Sequence, residues 1–305
     1  MNLSLKPYGV CVALAVLMGA AVLMLRRKRL AADTTIQDAL ALTGLCAFFG
    51  LVGARLLYCL FNVGYYASIG DFSGCFDIRQ GGFLLFGAIA GAALGGHLYG
   101  KSAGLSTEHT LNALCVPALI CLALCRFSEV LPFESVGIYI EEEGLQFFPL
   151  AVCNEWGEWY LAVFVFESLL ALILAIVASH AEKRGDPRLF LHILLYFAAF
   201  QIPLESLRMD SSLKLGFVRV NQVCCALTLL LLAVLLIYRD HQKMFGALGC
   251  VVLGLGGVGT IEWALEKTEI PNVVLYILMV GLCAGMCVST RLLEKAARVT
   301  QQETR

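Results

Sequence analysis

Apolar residues along this chain come in long blocks, not in alternating or 3.6-residue stripes, and short polar segments separate them. A helix needs about 20 apolar residues to cross the hydrocarbon of a bilayer, so each block reads as a spanning helix. The pattern predicts nine, near 8–25, 40–63, 81–99, 110–131, 159–179, 189–207, 217–238, 244–262 and 272–290. The expected fold is an all-α polytopic membrane protein. The first block has its basic cluster after the apolar run and lacks a clean small-residue cleavage site, so it reads as a retained helix and not a signal peptide.

Composition agrees with the pattern. Of 305 residues 59% are hydrophobic and 15% charged, and the mean hydropathy of +0.81 is far above that of a soluble domain. A net charge of −1, with no basic tract beyond RRKR at 26–29, excludes nucleic acid as a partner. Thirteen cysteines lie mostly within apolar blocks, where Cys behaves as a small hydrophobe. Cys75 and Cys153 both fall in loops on one side and are a candidate pair. No Cys/His spacing suggests a metal site, and there is no Walker loop or GxGxxG ahead of a helix, so no cofactor is expected.

Orientation follows from basic residues. With the N-terminus outside, 14 of the 22 Lys and Arg fall on the inner side, among them Arg26, Lys28, Lys101, Lys183, Lys243, Arg291 and Arg298. The outer loop 132–158 is acidic, with Glu134, Glu141, Glu142, Glu143, Glu155 and Glu158. The expected topology is N-out and C-in.

Charges inside spanning segments are costly and mark candidate sites. They are Arg55 in GARLLYCLF, Arg126 in LCRFSE, Glu167 in VFVFESLL, and Glu205 with Arg208 in FQIPLESLRMD. Glu262 lies nearer a helix end. Glu167 needs a partner or a proton, and Arg55 is the candidate counter-ion; a structural pair there is as good a reading as a catalytic one. Glu205 and Arg208 share a helix face, with Gln201 one turn earlier, while Pro203 removes a backbone donor and should bend the helix. An ion pair closing a helix end is the simple alternative. Under the expected topology, however, Arg126, Glu134, Glu205, Arg208 and Asp210 all reach the outer level, where two guanidinium forks suit a lipid phosphate. Gly87, Gly91 and Gly95, spaced by four, predict a close helix crossing.

These residues, in this order, resemble the bacterial prolipoprotein diacylglyceryl transferases over roughly residues 5 to 238. KPYGV places the family's Tyr-Gly at Tyr8-Gly9, and GARLLYCLF is close to GARLxYVLF. GGFLLFGAIAG is similar to a Gly-Gly…His-Gly-Gly stretch, and CRFSEVLPFESVG to GRxGNFxNGExxG, placing Arg126, Glu134 and Gly137. VFVFESLL resembles the LYE helix, and IPLESLRMD with Gln222 the RFxxEFxRxD…Q ending. The chain departs from the family at Phe86 in place of His, Glu129 in place of Asn, Gln201 in place of Arg, and Phe166 in place of Tyr.

The resemblance implies a seven-helix transferase domain over 1–240, followed by two additional helices and a basic tail over 241–305. It implies a multi-pass protein of the bacterial plasma membrane. The implied reaction moves the diacylglyceryl group of phosphatidylglycerol to the lipobox cysteine of prolipoprotein signal peptides. Arg126, Glu134, Glu205 and Arg208 would be catalytic; Tyr8, Arg55, Gly137, Glu167, Asp210 and Gln222 would line the substrate. Without the family His, a carboxylate among Glu129, Glu134 and Glu205 must take the thiol proton. Two other readings stand beside it: a relative that binds lipid or lipoprotein without transfer, and a small-solute transporter. No internal repeat supports the last.

Overall fold

The computed structural model describes residues 7–70, 72–77, 81–209, 213–215, 218–238, 240–268 and 270–303. It is built mainly of helices: α1 (Pro7–Leu25), α2 (Ile36–Phe61), a short α3 (Val63–Ile69), α4 (Leu85–Ser102), α5 (Thr107–Phe127), α6 (Val163–Lys183), α7 (Leu189–Leu207), α8 (Val220–Ile237), α9 (His241–Lys267) and α10 (Asn272–Glu303). Eight of these, all but α3 and α4, are long and apolar enough to cross a membrane. Every predicted segment corresponds to a helix, but the third, α4, is less apolar than the rest. Five glycines, His97 and Lys101 dilute it.

Two boundaries move for local reasons. Trp159–Leu161 is not the start of a helix. It forms strand β2, antiparallel to β1 (Ala151–Cys153), and α6 begins only at Val163. Likewise β3 (Lys214–Leu215) pairs with β4 (Val218–Arg219), so α8 starts at Val220 and not at 217. The architecture is helical as expected, with these two small hairpins added between helices. Cys153 is exposed, and its thiol donates to the Asn154 carbonyl at 3.5 Å.

The chain makes two compact units, Met1–Pro132 with Ala171–Phe190 and Phe133–Leu170 with Leu191–Arg305. In the first, α2 starts with a reciprocal capping box between Thr35 and Asp38, which satisfies the orphan amides of its first turn. Its mid-section lies directly on α4. A Cβ at Gly95 would stand 2.7 Å from the Leu45 carbonyl oxygen, and one at Gly87 or Gly91 would collide with the Gly53 or Phe49 carbonyl. The glycine stripe therefore makes the predicted close crossing. Leu23, Leu30, Ala39, Leu42, Tyr99 and Ala113 form a buried apolar cluster drawn from α1, α2, α4, α5 and the segment after α1.

In the second unit, α9 and α10 pack on each other and on α8. Val251, Met279 and Cys283 are fully buried there, with Leu229 and Ala233 of α8. Asp240 caps α9 by accepting from the Lys243 amide at 3.2 Å. This bond holds its carboxyl below the usual carboxylate range.

Candidate functional site

Glu167 stands in the second turn of α6, Gln201 and Glu205 one turn apart near the end of α7, and Arg208 just past it. Gln201 and Glu205 are 0% exposed and Glu167 1%. The Gln201 amide donates to Glu167 Oε1 at 2.5 Å and more weakly to Glu205 Oε1 at 3.3 Å. Arg208 Nη1 lies 3.7 Å from Glu167 Oε1 and 3.6 Å from Glu205 Oε1. Those separations suit attraction between charges but are long for hydrogen bonds. Asn221, in the first turn of α8, donates to Glu205 Oε1 at 2.9 Å.

Two buried carboxylates thus meet one guanidinium of this cluster and two neutral amides. Glu205 Oε2 and Gln201 Oε1 are buried and have no hydrogen-bond partner among the described residues. A buried acceptor left without a donor costs on the order of 1–3 kcal/mol. The arrangement can accept hydrogen bonds from hydroxyl donors, and it sets a cation beside them.

A second layer fixes the cluster from behind. Gln222 accepts from the Arg219 amide at 3.0 Å and donates to Glu262 Oε1 at 2.5 Å. The Arg219 guanidinium donates to the Arg208 carbonyl, covering the end of α7. Helix α7 continues through Pro203 to Leu207, so the proline does not end it. Gly137 sits where a Cβ would lie 2.8 Å from the Leu207 carbonyl oxygen and 2.9 Å from Val163, which explains glycine there by packing. The neighbouring Val136 carbonyl accepts from the Met209 amide at 2.8 Å, tying the loop to the strand of chain after α7.

Glu134, in the same loop, is exposed, and Asp210 lies outside the described residues. In the first unit Arg126 is buried and pairs with Glu129 at 2.6 Å. Phe86 is buried at the start of α4, and Tyr8 is half-buried in the first turn of α1.

Arg55 and Glu167 each find partners within their own unit. Arg55 donates to the carbonyls of Gly74 at 2.6 Å, Cys75 at 2.9 Å, Asp77 at 3.1 Å and Gly82 at 3.1 Å, and also to Gly81. Its guanidinium lies 5.4 Å from the Tyr58 ring centroid. This arginine organises a loop; five other residues bound a cavity of about 250 Å³ with it, among them Tyr58 and Tyr66.

Asn221 escapes a reading based on charge depth and motif order; its position directly before Gln222 was the sole signal. Glu262, a weaker candidate by charge depth because it stands near a helix end, joins the network through Gln222. No group of three or more His, Cys, Asp or Glu able to hold a metal occurs among the described residues.

A sequence model of the family described as Prolipoprotein diacylglyceryl transferase matches residues 1–238. The phosphatidylglycerol–prolipoprotein diacylglyceryl transferase of Clostridium novyi is 28% identical over 203 residues, spanning 64% of this chain and 76% of the relative. That of Bacillus licheniformis is 28% identical over 249 residues, 77% of this chain and 88% of its own. That of Listeria welshimeri is 26% identical over 247 residues, 78% and 87% respectively. With more than three quarters of its length matched, this polytopic helical chain belongs to the prolipoprotein diacylglyceryl transferase family.

Proposed function

We propose that this protein transfers the diacylglyceryl group of phosphatidylglycerol to the cysteine thiol of a prolipoprotein signal peptide, at the bacterial plasma membrane. The observation that carries the reading is the pair of open, buried acceptors, Glu205 Oε2 and Gln201 Oε1, beside Arg208. The glycerol headgroup of phosphatidylglycerol brings two hydroxyl donors and a phosphate, which complement two acceptors and a guanidinium. Relatives of similar length bear the name of this activity.

In the reaction the cysteine sulfur forms a bond to the terminal glyceryl carbon, and the bond from that carbon to the phosphate oxygen breaks. The products are a thioether and glycerol phosphate. The thiol proton passes to a carboxylate, for which Glu205 is the best-placed candidate in this cluster. Arg208 stabilises charge gathering on the departing phosphate. Glu167 and Gln201 hold Glu205 and Arg208 in place; Gln222 and Glu262 act through Arg219. Arg126 and Glu134 are further candidates, each to be tested by its own substitution. The termini are expected outside (N) and inside (C), with 1–240 as the transferase domain and 241–305 appended to it.

A second reading, lipid or lipoprotein binding without transfer, has one observation in its favour: the Arg126–Glu129 pair at 2.6 Å already neutralises that guanidinium. Purified protein with phosphatidylglycerol and a lipobox peptide decides between them. Released glycerol phosphate and a lipidated peptide support transfer. Retained lipid with no release, under conditions where the Bacillus licheniformis relative works, overturns it. Arg208→Ala should lower the rate roughly 100- to 1,000-fold, the usual cost of losing one charge-stabilising donor.

A further inference from the structure

Outside the family match, α10 carries a second polar knot. Glu294 is 1% exposed and receives three cations or donors: Arg291 Nη1 at 2.9 Å, Arg298 Nη2 at 2.5 Å, and His192 Nε2 of α7 at 3.0 Å. Glu294, Arg291 and Arg298 sum to +1, and the exposed Lys295 beside them raises this to +2.

The excess charge faces a groove. Tyr196, Cys287, Val288, Arg291, Leu292 and Lys295 line a cavity of about 240 Å³ between α7 and α10. Val288, Arg291, Leu292 and Lys295 follow at i, i+3, i+4 and i+7, so they form one stripe of α10. Val288 is 57% exposed and Leu292 60%, on a helix long and apolar enough to cross a membrane. Along this stripe apolar and basic side chains interleave, and Tyr196 of α7 adds a phenol. Exposed apolar and cationic groups side by side suit an amphiphilic anion such as a phospholipid.

We infer that the groove between α7 and α10 binds an anionic phospholipid, its phosphate on Arg291, Lys295 and the Tyr196 hydroxyl and its acyl chain along Val288 and Leu292. Glu294 is the positioning residue: its carboxylate holds the Arg291 guanidinium at the groove without neutralising the whole cluster. A basic pocket between spanning helices is a recurrent solution for such headgroups. The exposed apolar wall is what favours a lipid over a soluble phosphate. This site is independent of the transfer proposed above.

Native mass spectrometry of the full-length protein in detergent tests it, with dioleoyl phosphatidic acid and dioleoyl phosphatidylcholine as probes. Phosphatidic acid should bind preferentially. Arg291→Gln with Lys295→Gln should weaken it about 30-fold, and Lys295→Gln alone about fivefold, at roughly one basic side chain per factor of five. Lys295 is exposed, so the single variant keeps the test alive if the double variant misfolds. Arg208→Ala should retain this lipid. Equal uptake of the two lipids, or uptake unaffected by both variants, would overturn the inference. So would loss of the lipid in Arg208→Ala, or its displacement by millimolar inorganic phosphate.

Discussion

Glu294 and Glu205 are both buried carboxylates in the second unit, yet they are held in opposite ways. Glu294 has Arg291, Arg298 and His192 on its two oxygens, so each oxygen receives a cationic donor and neither is left open. Glu205 receives two neutral amides on one oxygen, keeps Arg208 at 3.6 Å, and leaves the other oxygen open. Burying a charge is tolerated only when its partners replace water. The first arrangement replaces water completely and is suited to hold helices together. The second leaves a deficit that a ligand's donors can fill, which is what a binding site needs.

Breaking the closed knot should have the larger effect on folding. Glu294→Ala leaves Arg291 and Arg298 without their buried counter-charge and should destabilise by about 3–5 kcal/mol, read as a large drop in thermal midpoint in detergent. If the two carboxylates were alike in role, Glu205→Ala would cost as much; the comparison requires it to cost clearly less while abolishing transfer.

Gln201→Arg sharpens the contrast from the other side. It gives Glu167 and Glu205 a second cation, and transfer should rise about tenfold, through added stabilisation of the departing phosphate. An unchanged rate would mean that the single guanidinium already suffices.

Asn221→Ala removes the shortest hydrogen bond to Glu205. It should cost about 1 kcal/mol of stability, with transfer reduced and phosphatidylglycerol binding nearly unchanged. Equal losses in both would assign Asn221 to lipid binding.

The smallest effect lies at Asp240. Its folded carboxyl titrates lower than in the unfolded chain, because the Lys243 amide and ammonium favour the charged form. The contribution is therefore present above the usual carboxylate range and fades as pH falls through the folded value. Asp240→Asn should flatten the acid limb of a stability–pH profile slightly and leave the neutral plateau almost in place. A profile that coincides with wild type would remove this cap from the account.

Much of the architecture was legible in the pattern of residues. Blocks of apolar side chains longer than a bilayer is thick leave few alternatives to spanning helices, and each predicted segment contains a helix, eight of them long and apolar enough to cross a membrane. The glycines at 87, 91 and 95 were enough to foresee the crossing of α2 on α4, because only a residue without Cβ admits a carbonyl so close. The hairpins were not foreseen. Trp159, Tyr160 and Leu161 are as apolar as a helix start, and only their pairing with 151–153 makes them a strand.

Charge depth and motif order likewise singled out Glu167, Glu205 and Arg208, since a charged side chain in a spanning segment is rare enough to notice. Which charges meet was another matter. Arg55 is as conspicuous in sequence as Glu167, yet its guanidinium is satisfied by loop carbonyls that any residue type would supply. Asn221 enters the site's hydrogen-bond network through a side chain that carries no sequence signal of depth or motif, and Glu262 through one whose signal was weak. Composition and the block pattern therefore determined that this chain carries membrane-spanning helices, and they marked Arg55, Arg126, Glu167, Glu205 and Arg208 among the charges it buries, though not Arg219 or Glu294. Only the tertiary structure decided which of those charges are closed off and which remain open to a ligand, because satisfaction depends on distances between residues far apart in the chain.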